Sequence, residues 1–455
     1  MPALPVLLAT DLLVWLLVAT VALYAWYCGR RAHLATPWAR VFRSRAAMAS
    51  SVLLAAYLAV GLADSLHFRP RLEQKGAQAA YSVEVLSVLD LALSHLRGRS
   101  ERTYSAPLAT RAYARERVEL PDGRQVREFP RLRYGGAHLK DETEWAGDVA
   151  KRAMLGLLAG LLACLGGFLA SKPIRRRWPE IPWGAALATL GAILALAGPA
   201  LALSAGYHVL GTDKVGQDVL YLALKSVRTS LAIGTLTTLV LLPLGVALGI
   251  MAGYFKGWVD DVIQYLYTTL NSIPGVLLIA AAVLMMQVYI DTHPELFPTA
   301  AQRADLRLLF LCVILGLTSW TGLARLLRGE TLKLSELEYI QAAHAFGVAH
   351  ARVLSRHILP NVTHLVIIAL VMDFSGLVLA EAVLSYVGVG VDPSTTSFGT
   401  MINSARLEMS REPIVWWALA AAFTFMFMLV LAANLFADAV RDGFDPRVRV
   451  GGAAA

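Results

Sequence analysis

Nine stretches of this chain are long and apolar enough to cross a lipid bilayer: residues 6–27, 46–66, 153–170, 184–206, 229–253, 273–290, 308–327, 362–387 and 414–436. A hydrocarbon core of ~30 Å demands about 20 apolar residues in a helix. Helix is the default because a lone span in lipid must satisfy its own backbone hydrogen bonds. The runs therefore predict an all-α integral membrane protein, a polytopic bundle of about nine transmembrane helices. Composition agrees, with 57% hydrophobic and 16% charged residues where a soluble domain carries about 25% charged. Cys28, Cys164 and Cys312 are scattered through apolar runs and read as buried small hydrophobes. The formal charge of +8 is assigned to cytoplasmic loops and anionic lipid rather than to nucleic acid.

Basic loops set the orientation. Gly29–Arg45 holds Arg30, Arg31, Arg40, Arg43 and Arg45 and no acid, and Ser171–Pro182 holds Lys172, Arg175, Arg176 and Arg177 against Glu180. Both are expected in the cytoplasm. Alternation then places the loops 291–307 and 389–413 outside and the tail Arg441–Val450 inside, with a periplasmic N-terminus and a cytoplasmic C-terminus. The first run lacks a basic leader, carries Asp11 and ends in Tyr27-Cys28, so it reads as a retained helix rather than a cleaved signal.

Residues 67–150 form the one sizeable soluble stretch, expected as a small mixed periplasmic insertion. Tyr81–Leu96 predicts an amphipathic helix. Pro121-Asp122-Gly123, set between two short alternating runs, predicts a β-hairpin. No catalytic constellation stands out there, and a lid, a docking surface and a spacer all remain open.

Arg325–Asn361 is far longer than a plain connection between spans needs. Ala342, Ala343 and Ala345 give it a small-residue face, Gly347 permits a turn, and Pro360 is expected to break the helix before the next span. Helix, glycine turn and second helix make a compact knob on the predicted cytoplasmic side. It suits either a groove on a partner protein or a solvated interface with no partner.

The segment "QAAHAFGVAHARVLSRHILPN" resembles the EAA loop of ABC-transporter inner-membrane permeases. Gln341, Ala342, Ala343, Gly347, His357, Ile358, Leu359 and Pro360 fall at motif positions, and Gln341 stands where the family usually has glutamate. Three more stretches resemble the dipeptide and oligopeptide permeases of the C type, which depend on a binding protein. "HVLGTDKVGQDVLYLALKSVRTSLAIG" supplies Gly211, Thr212, Asp213, Gly216, Asp218, Val219, Arg228, Ser230 and Leu231, with Gln217 and Ser226 as departures. "EAVLSYVGVGVDPSTTSFGTMI" carries Phe398 where the family has tryptophan, and "NLFADAVRDGFDPR" closes the series. The resemblance runs from Gly206 to Arg449. It implies a division into an extra N-terminal helix and basic loop (1–45), a first core span (46–66), the insertion (67–150), an additional transmembrane hairpin (151–206) and a permease core (207–450) with its coupling loop at 338–361.

The resemblance also implies a job: half of a translocation path for peptides in a bacterial inner membrane. The implied partners are a second homologous permease in a heterodimer, two cytosolic ATPases docked on the coupling loops, a periplasmic substrate-binding protein and membrane lipid. No G-x-x-x-x-G-K-[ST] phosphate loop occurs in the chain. It is therefore not expected to be an enzyme or to bind a cofactor, with ATP and magnesium held by the ATPase partners.

Asp373 and Glu381 interrupt an apolar run, which marks them as candidates for the translocation path or for pairing between helices. On the same two acids rests the rival reading, an ion-coupled secondary transporter, although no internal repeat supports it. His344, His350, His357 and His364 recur at six- and seven-residue intervals, but Gly347 and Pro360 interrupt them and no metal is expected. Asp213 is expected to cap the following helix. Gly245, Gly249 and Gly253 mark a close helix contact.

Overall fold

A computed structural model describes residues 3–71, 81–119, 125–297 and 299–444. The chain opens with strand β1 (Ala3–Val6) and helices α1 (Ala9–Gly29), α2 (Ala32–Arg43) and α3 (Arg45–Asp64). The insertion then supplies β2 (His67–Pro70), β3 (Leu86–Ser87), α4 (Val88–Ala92), α5 (Ser94–Arg97), β4 (Glu116–Glu119) and β5 (Gln125–Glu128). Helices α6 (Trp145–Ala170), α7 (Lys172–Arg177), α8 (Trp183–Ser204), α9 (Val219–Phe255), α10 (Gly257–Ser272) and α11 (Gly275–Thr292) follow. The last third carries α12 (Ala300–Ser319), α13 (Thr321–Ser335), α14 (Glu338–Ala345), α15 (His350–Val353), α16 (Leu359–Val387), α17 (Phe398–Glu408) and α18 (Trp417–Phe444). Among the described residues nine helices are long and apolar enough to cross a membrane, one on each predicted run. The protein is an all-α polytopic membrane protein with a minor mixed insertion.

Chain contacts divide the molecule into two compact units. The first comprises residues 1–7, 42–230 and 393–432. Its three-stranded sheet runs β1-β2-β3, all antiparallel, and pairs Ala3 with Pro70 through Val6 with His67. The start of the chain is thus hydrogen-bonded to the insertion. The tightest helix pair is α6 with α8, where Gly156 meets the backbone of Gly198 and Gly160 meets that of Leu194. Glycine at these positions lets the backbones touch, the usual way helices associate where lipid removes the hydrophobic drive.

The insertion follows the sequence in part. Strands β4 and β5 pair as a hairpin, Glu116 opposite Glu128 through Glu119 opposite Gln125. The predicted turn at Pro121–Gly123 lies outside the described residues, as do 72–80. The predicted helix over Tyr81–Leu96 is a correction. Tyr81 bridges Arg71, and Leu86–Ser87 are drawn into the sheet against Phe68 and His67. Helix begins only where the Ser87 hydroxyl accepts from the Asp90 amide and the Asp90 carboxylate accepts from the Ser87 amide, a capping box. Leu89, Leu93 and Leu96 then bury against Val60 and Leu220.

The second unit comprises residues 8–41, 231–392 and 433–455, of which 445–455 fall outside the described residues; of the predicted cytoplasmic tail only Arg441–Phe444 is described, as the end of α18. Within it α9 approaches α13 closely along a row of glycines. A Cβ on Gly245 would meet the Leu323 side chain at 2.9 Å, one on Gly249 the Ala324 carbonyl at 2.7 Å, and one on Gly253 the Arg328 carbonyl at 2.7 Å. Helix α10 is absent from the sequence reading because Asp260, Asp261 and Gln264 interrupt its apolar residues. Arg328 holds it in place, donating from Nε and Nη2 to the two Asp260 oxygens at 2.6 Å each. That fork keeps the Asp260 carboxyl below its usual range despite burial. At the head of α1, Asp305 accepts from the Thr10 amide at 3.1 Å and from its hydroxyl.

Candidate functional site

The segment 338–361 is built round an apolar centre in the second unit. Ile340, Val353, Ile358 and Val362 are fully buried and pack with Ile250, Tyr254, Leu323 and Leu327. Helix α14 ends in a Schellman turn: Gly347 adopts φ +71°, its amide donates to the His344 carbonyl at 2.9 Å, and the Val348 amide donates to the Ala343 carbonyl at 3.0 Å. Ala343 and Val348 both pack on the buried cluster. Gln341, Ala342, Ala345, Phe346 and Gly347 lie on the exposed side. Gln341 Nε2 donates to the Glu336 carbonyl at 3.2 Å. Sequence spacing separates His344 from His350, yet the Gly347 turn brings both to the Tyr254 hydroxyl, at 3.3 and 2.8 Å.

Pro360 does not break the chain before the span, a second correction. Leu354–Ile358 form a π turn, in which the Leu359 amide reaches back to the Leu354 carbonyl, and α16 continues from there with Pro360 in its first turn. The wider turn absorbs the proline, which has no N–H to give. His357 lies beside the Tyr339 ring, 6.1 Å between centroids, and its carbonyl accepts from Asn361 Nδ2 at 2.7 Å. Leu359 and Pro360 are exposed.

The predicted motif at 211–218 lies in the first unit and clasps the insertion. Gly211 and Gly216 have φ of +72° and +76°, and a Cβ at 211 would meet the Ser105 carbonyl at 2.5 Å. The Thr212 hydroxyl accepts from the Ser105 amide at 2.7 Å and donates to the Thr103 carbonyl at 2.9 Å, while the Thr212 carbonyl accepts from Trp417 Nε1 at 2.9 Å. Asp213 does not cap α9. Its Oδ1 takes the Val215 and Gln217 amides, closing the turn, and burial raises its pKa. The cap is Asp218, whose Oδ1 accepts from the Leu220 and Tyr221 amides at 2.9 and 3.3 Å. Arg228 sits half-buried further along α9.

Beneath this turn lies a charge centre the sequence did not disclose. Buried His208 contacts Asp218 through Nδ1 at 2.8 Å and Glu101 through Nε2 at 3.4 Å. Glu101 also accepts from the Arg133, Tyr134 and Gly135 amides at 2.8, 2.8 and 3.1 Å. Burial opposes the imidazolium, but the two carboxylates raise His208 to about 9. Burial likewise opposes the Glu101 carboxylate, and the His208 bond and three amides bring it down to about 2. His208 stands just ahead of the LGTD residues, the only hint available; Glu101 lies 107 positions away.

The two membrane acids are not brought together as a site. Glu381 is fully buried and accepts from the Ser385 hydroxyl at 2.6 Å, one turn on along the same helix. Asp373 is half-buried, and among the described residues no hydrogen bond or ion pair reaches its carboxylate. Its neighbours are packed: the Phe374 ring lies against Gly234 and the Ser375 hydroxyl donates to Asn434 at 2.6 Å.

Comparison with known proteins settles the family. Residues 245–450 match the binding-protein-dependent transport system inner membrane component. A glutathione transport system permease protein of Pectobacterium atrosepticum is 34% identical over 242 residues, 53% of this chain and 73% of that protein. The chain belongs to this family. Other relatives of the permease are an oligopeptide transport system permease protein of Mycobacterium tuberculosis, 29% identical over 53% of this chain and 77% of that protein, and a dipeptide transport system permease protein of Lactococcus lactis, 29% identical over 53% and 64%. The permease is therefore a multi-pass inner-membrane component of a transport system, from a family of transport proteins rather than enzymes. About half of its length lies outside these alignments.

Proposed function

We propose that this permease is one membrane subunit of an ATP-driven importer of peptides, coupled through residues 338–361 to a separate ATPase. The observation that carries the reading is the construction of that segment: an apolar centre and a Schellman turn fix its inner side, and the outer side presents Gln341, Ala342, Ala345 and Gly347. Small residues allow a partner's backbone to approach, and the π turn joins the knob to α16 without a flexible break. Closure of an ATPase dimer would move such a lever as a rigid body. A second, homologous permease completes the path, a periplasmic binding protein delivers cargo, and ATP with magnesium stays on the ATPase subunits. The knob faces the cytoplasm. The peptide cargo is taken from the relatives' names, which specify glutathione, oligopeptides and dipeptides. Asp373, half-buried on α16, is assigned to the path.

The test is reconstitution of the permease with its neighbouring permease, ATPases and binding protein in liposomes. Peptide uptake is expected to require internal ATP and to survive collapse of the proton gradient. Uptake that needs the gradient and ignores ATP overturns the reading in favour of an ion-coupled carrier.

A further inference from the structure

The two ends of the α6–α8 hairpin treat charge in opposite ways. At one end Asp148 accepts from His138 Nε2, Arg152 Nε and the Tyr207 hydroxyl at 2.7, 2.8 and 2.9 Å. Arg99 Nη1 donates there to the Ser204 and Ala205 carbonyls at 3.1 and 2.7 Å. At the other end α7 carries Lys172, Arg175, Arg176 and Arg177, and the one acid of the connection, Glu180, is taken by Arg43. Arg175 is spent on the end of α6: its guanidinium lies 3.9 Å from the Phe168 ring centre, and Nη2 donates to the Phe168 carbonyl at 3.0 Å. Lys172, Arg176 and Arg177 are exposed, and among the described residues none of them has a hydrogen bond or ion pair.

We infer that this end of the hairpin is a binding site for an anionic phospholipid, its headgroup phosphate held by Lys172 and Arg176 and an acyl chain lying along α6. Location sets the class of ligand. Helices α6 and α8 are both long and apolar enough to span the bilayer, so the connection between them lies at headgroup level. Trp178 is 56% exposed there, the usual station of an interfacial aromatic, and its carbonyl accepts from Trp183 Nε1 at 2.9 Å. Leu158, Leu162, Leu165 and Leu169, all exposed, recur along α6 at steps of three and four residues. The same steps continue past Ser171, itself helical at φ −75° and ψ −9°, to Lys172 and Arg176. One stripe is thus apolar at acyl depth and cationic at its end, the polarity of a lipid molecule. Charge sets the headgroup. A zwitterionic lipid brings its own cation to a cluster whose only acid is engaged, whereas an anionic lipid supplies the missing counter-charge.

The full-length permease in mild detergent, titrated with phosphatidylglycerol or with phosphatidylcholine and read by native mass spectrometry and melting temperature, tests this. Wild type is expected to retain phosphatidylglycerol in preference and to melt higher with it. The paired variant Lys172→Gln with Arg176→Gln alters two exposed side chains, so its elution is expected to match wild type while its affinity for phosphatidylglycerol falls about tenfold or more. Lys172→Arg with Arg176→Lys keeps both charges and is expected to keep the affinity. Arg30→Gln with Arg31→Gln strips the same charge from another basic loop and is expected to change nothing. Equal retention of the two lipids by wild type overturns the site, whether or not the variants fold. An equal loss in the two glutamine pairs also overturns it, leaving only the general pull of net positive charge on anionic lipid. Displacement of the lipid by inorganic phosphate makes the site one for a free anion and overturns the lipid.

Discussion

The clasp around His208 and the knob at 338–361 are both built round buried centres, but of opposite kinds. The clasp is closed by charge: Glu101, His208 and Asp218 face one another, and the backbone amides of 133–135 and of the α9 start use the remaining carboxylate lone pairs. Its polar groups are turned inward and satisfied there. The knob is closed by Ile340, Val353, Ile358 and Val362, and Tyr339, Gln341, Ala342, Ala345, Phe346 and Leu359 stand outside. A buried charge cluster is costly to open, because separating its members strands an uncompensated charge. An apolar base with an exposed outer face is packed on one side only. The described part of the insertion is therefore held within the first unit, and the knob is the region we propose meets another protein.

The sharpest way to break this contrast is His208→Ala, which strands two buried carboxylates. It is expected to destabilise the first unit by about 3–5 kcal/mol and to open 67–150 to trypsin, while labelling of a cysteine placed at Ala345 is unchanged. An insertion that still resists trypsin would show that charge does not hold the clasp. Acidity probes the same joint without mutation. His208 titrates at about 9 in the fold against 6.5 ordinarily, so its contribution is complete below about pH 6.5 and is lost as pH rises through about 9. Glu101, at about 2 against 4.5, contributes above about pH 4.5 and is lost only as pH falls through about 2. Protease resistance of 67–150 is expected to decline between about pH 6.5 and 9, and a flat profile over that range contradicts the assignment.

Smaller effects sharpen the other half. Gly347→Ala forces a side chain into φ +71°, costing about 1 kcal/mol, and is expected to lower cargo-stimulated ATP hydrolysis while leaving the clasp's trypsin resistance intact. Asp373→Asn is expected to leave stability within about 0.5 kcal/mol, since no partner among the described residues is lost, yet to change the rate of uptake. Unaltered uptake would remove Asp373 from the path.

The sequence made the spans and the knob legible for a physical reason: run length and glycine punctuation are local signals. Gly347 and the α9 glycines marked their turn and seam correctly because a missing Cβ acts where it stands. Where partners come from afar the sequence was silent. Glu101 and His208, or Asp260 and Arg328, are 107 and 68 positions apart, and no periodicity links them. Two errors share one cause, a local rule overridden by a neighbour: Asp213 closes a turn because Asp218 is better placed to cap, and Pro360 is accommodated because the preceding turn widens. Tyr81–Leu96 failed because β2 recruits Leu86 and Ser87.

The most direct test of the central claim is cysteine cross-linking at Ala345 in sealed inner-membrane vesicles of known orientation. The account predicts that a membrane-impermeant maleimide reaches this cysteine only from the cytoplasmic face, and that a short bifunctional reagent joins it to an ATPase subunit. Labelling from the periplasmic face, or an accessible cysteine that never forms an adduct with a nucleotide-hydrolysing protein, would contradict it.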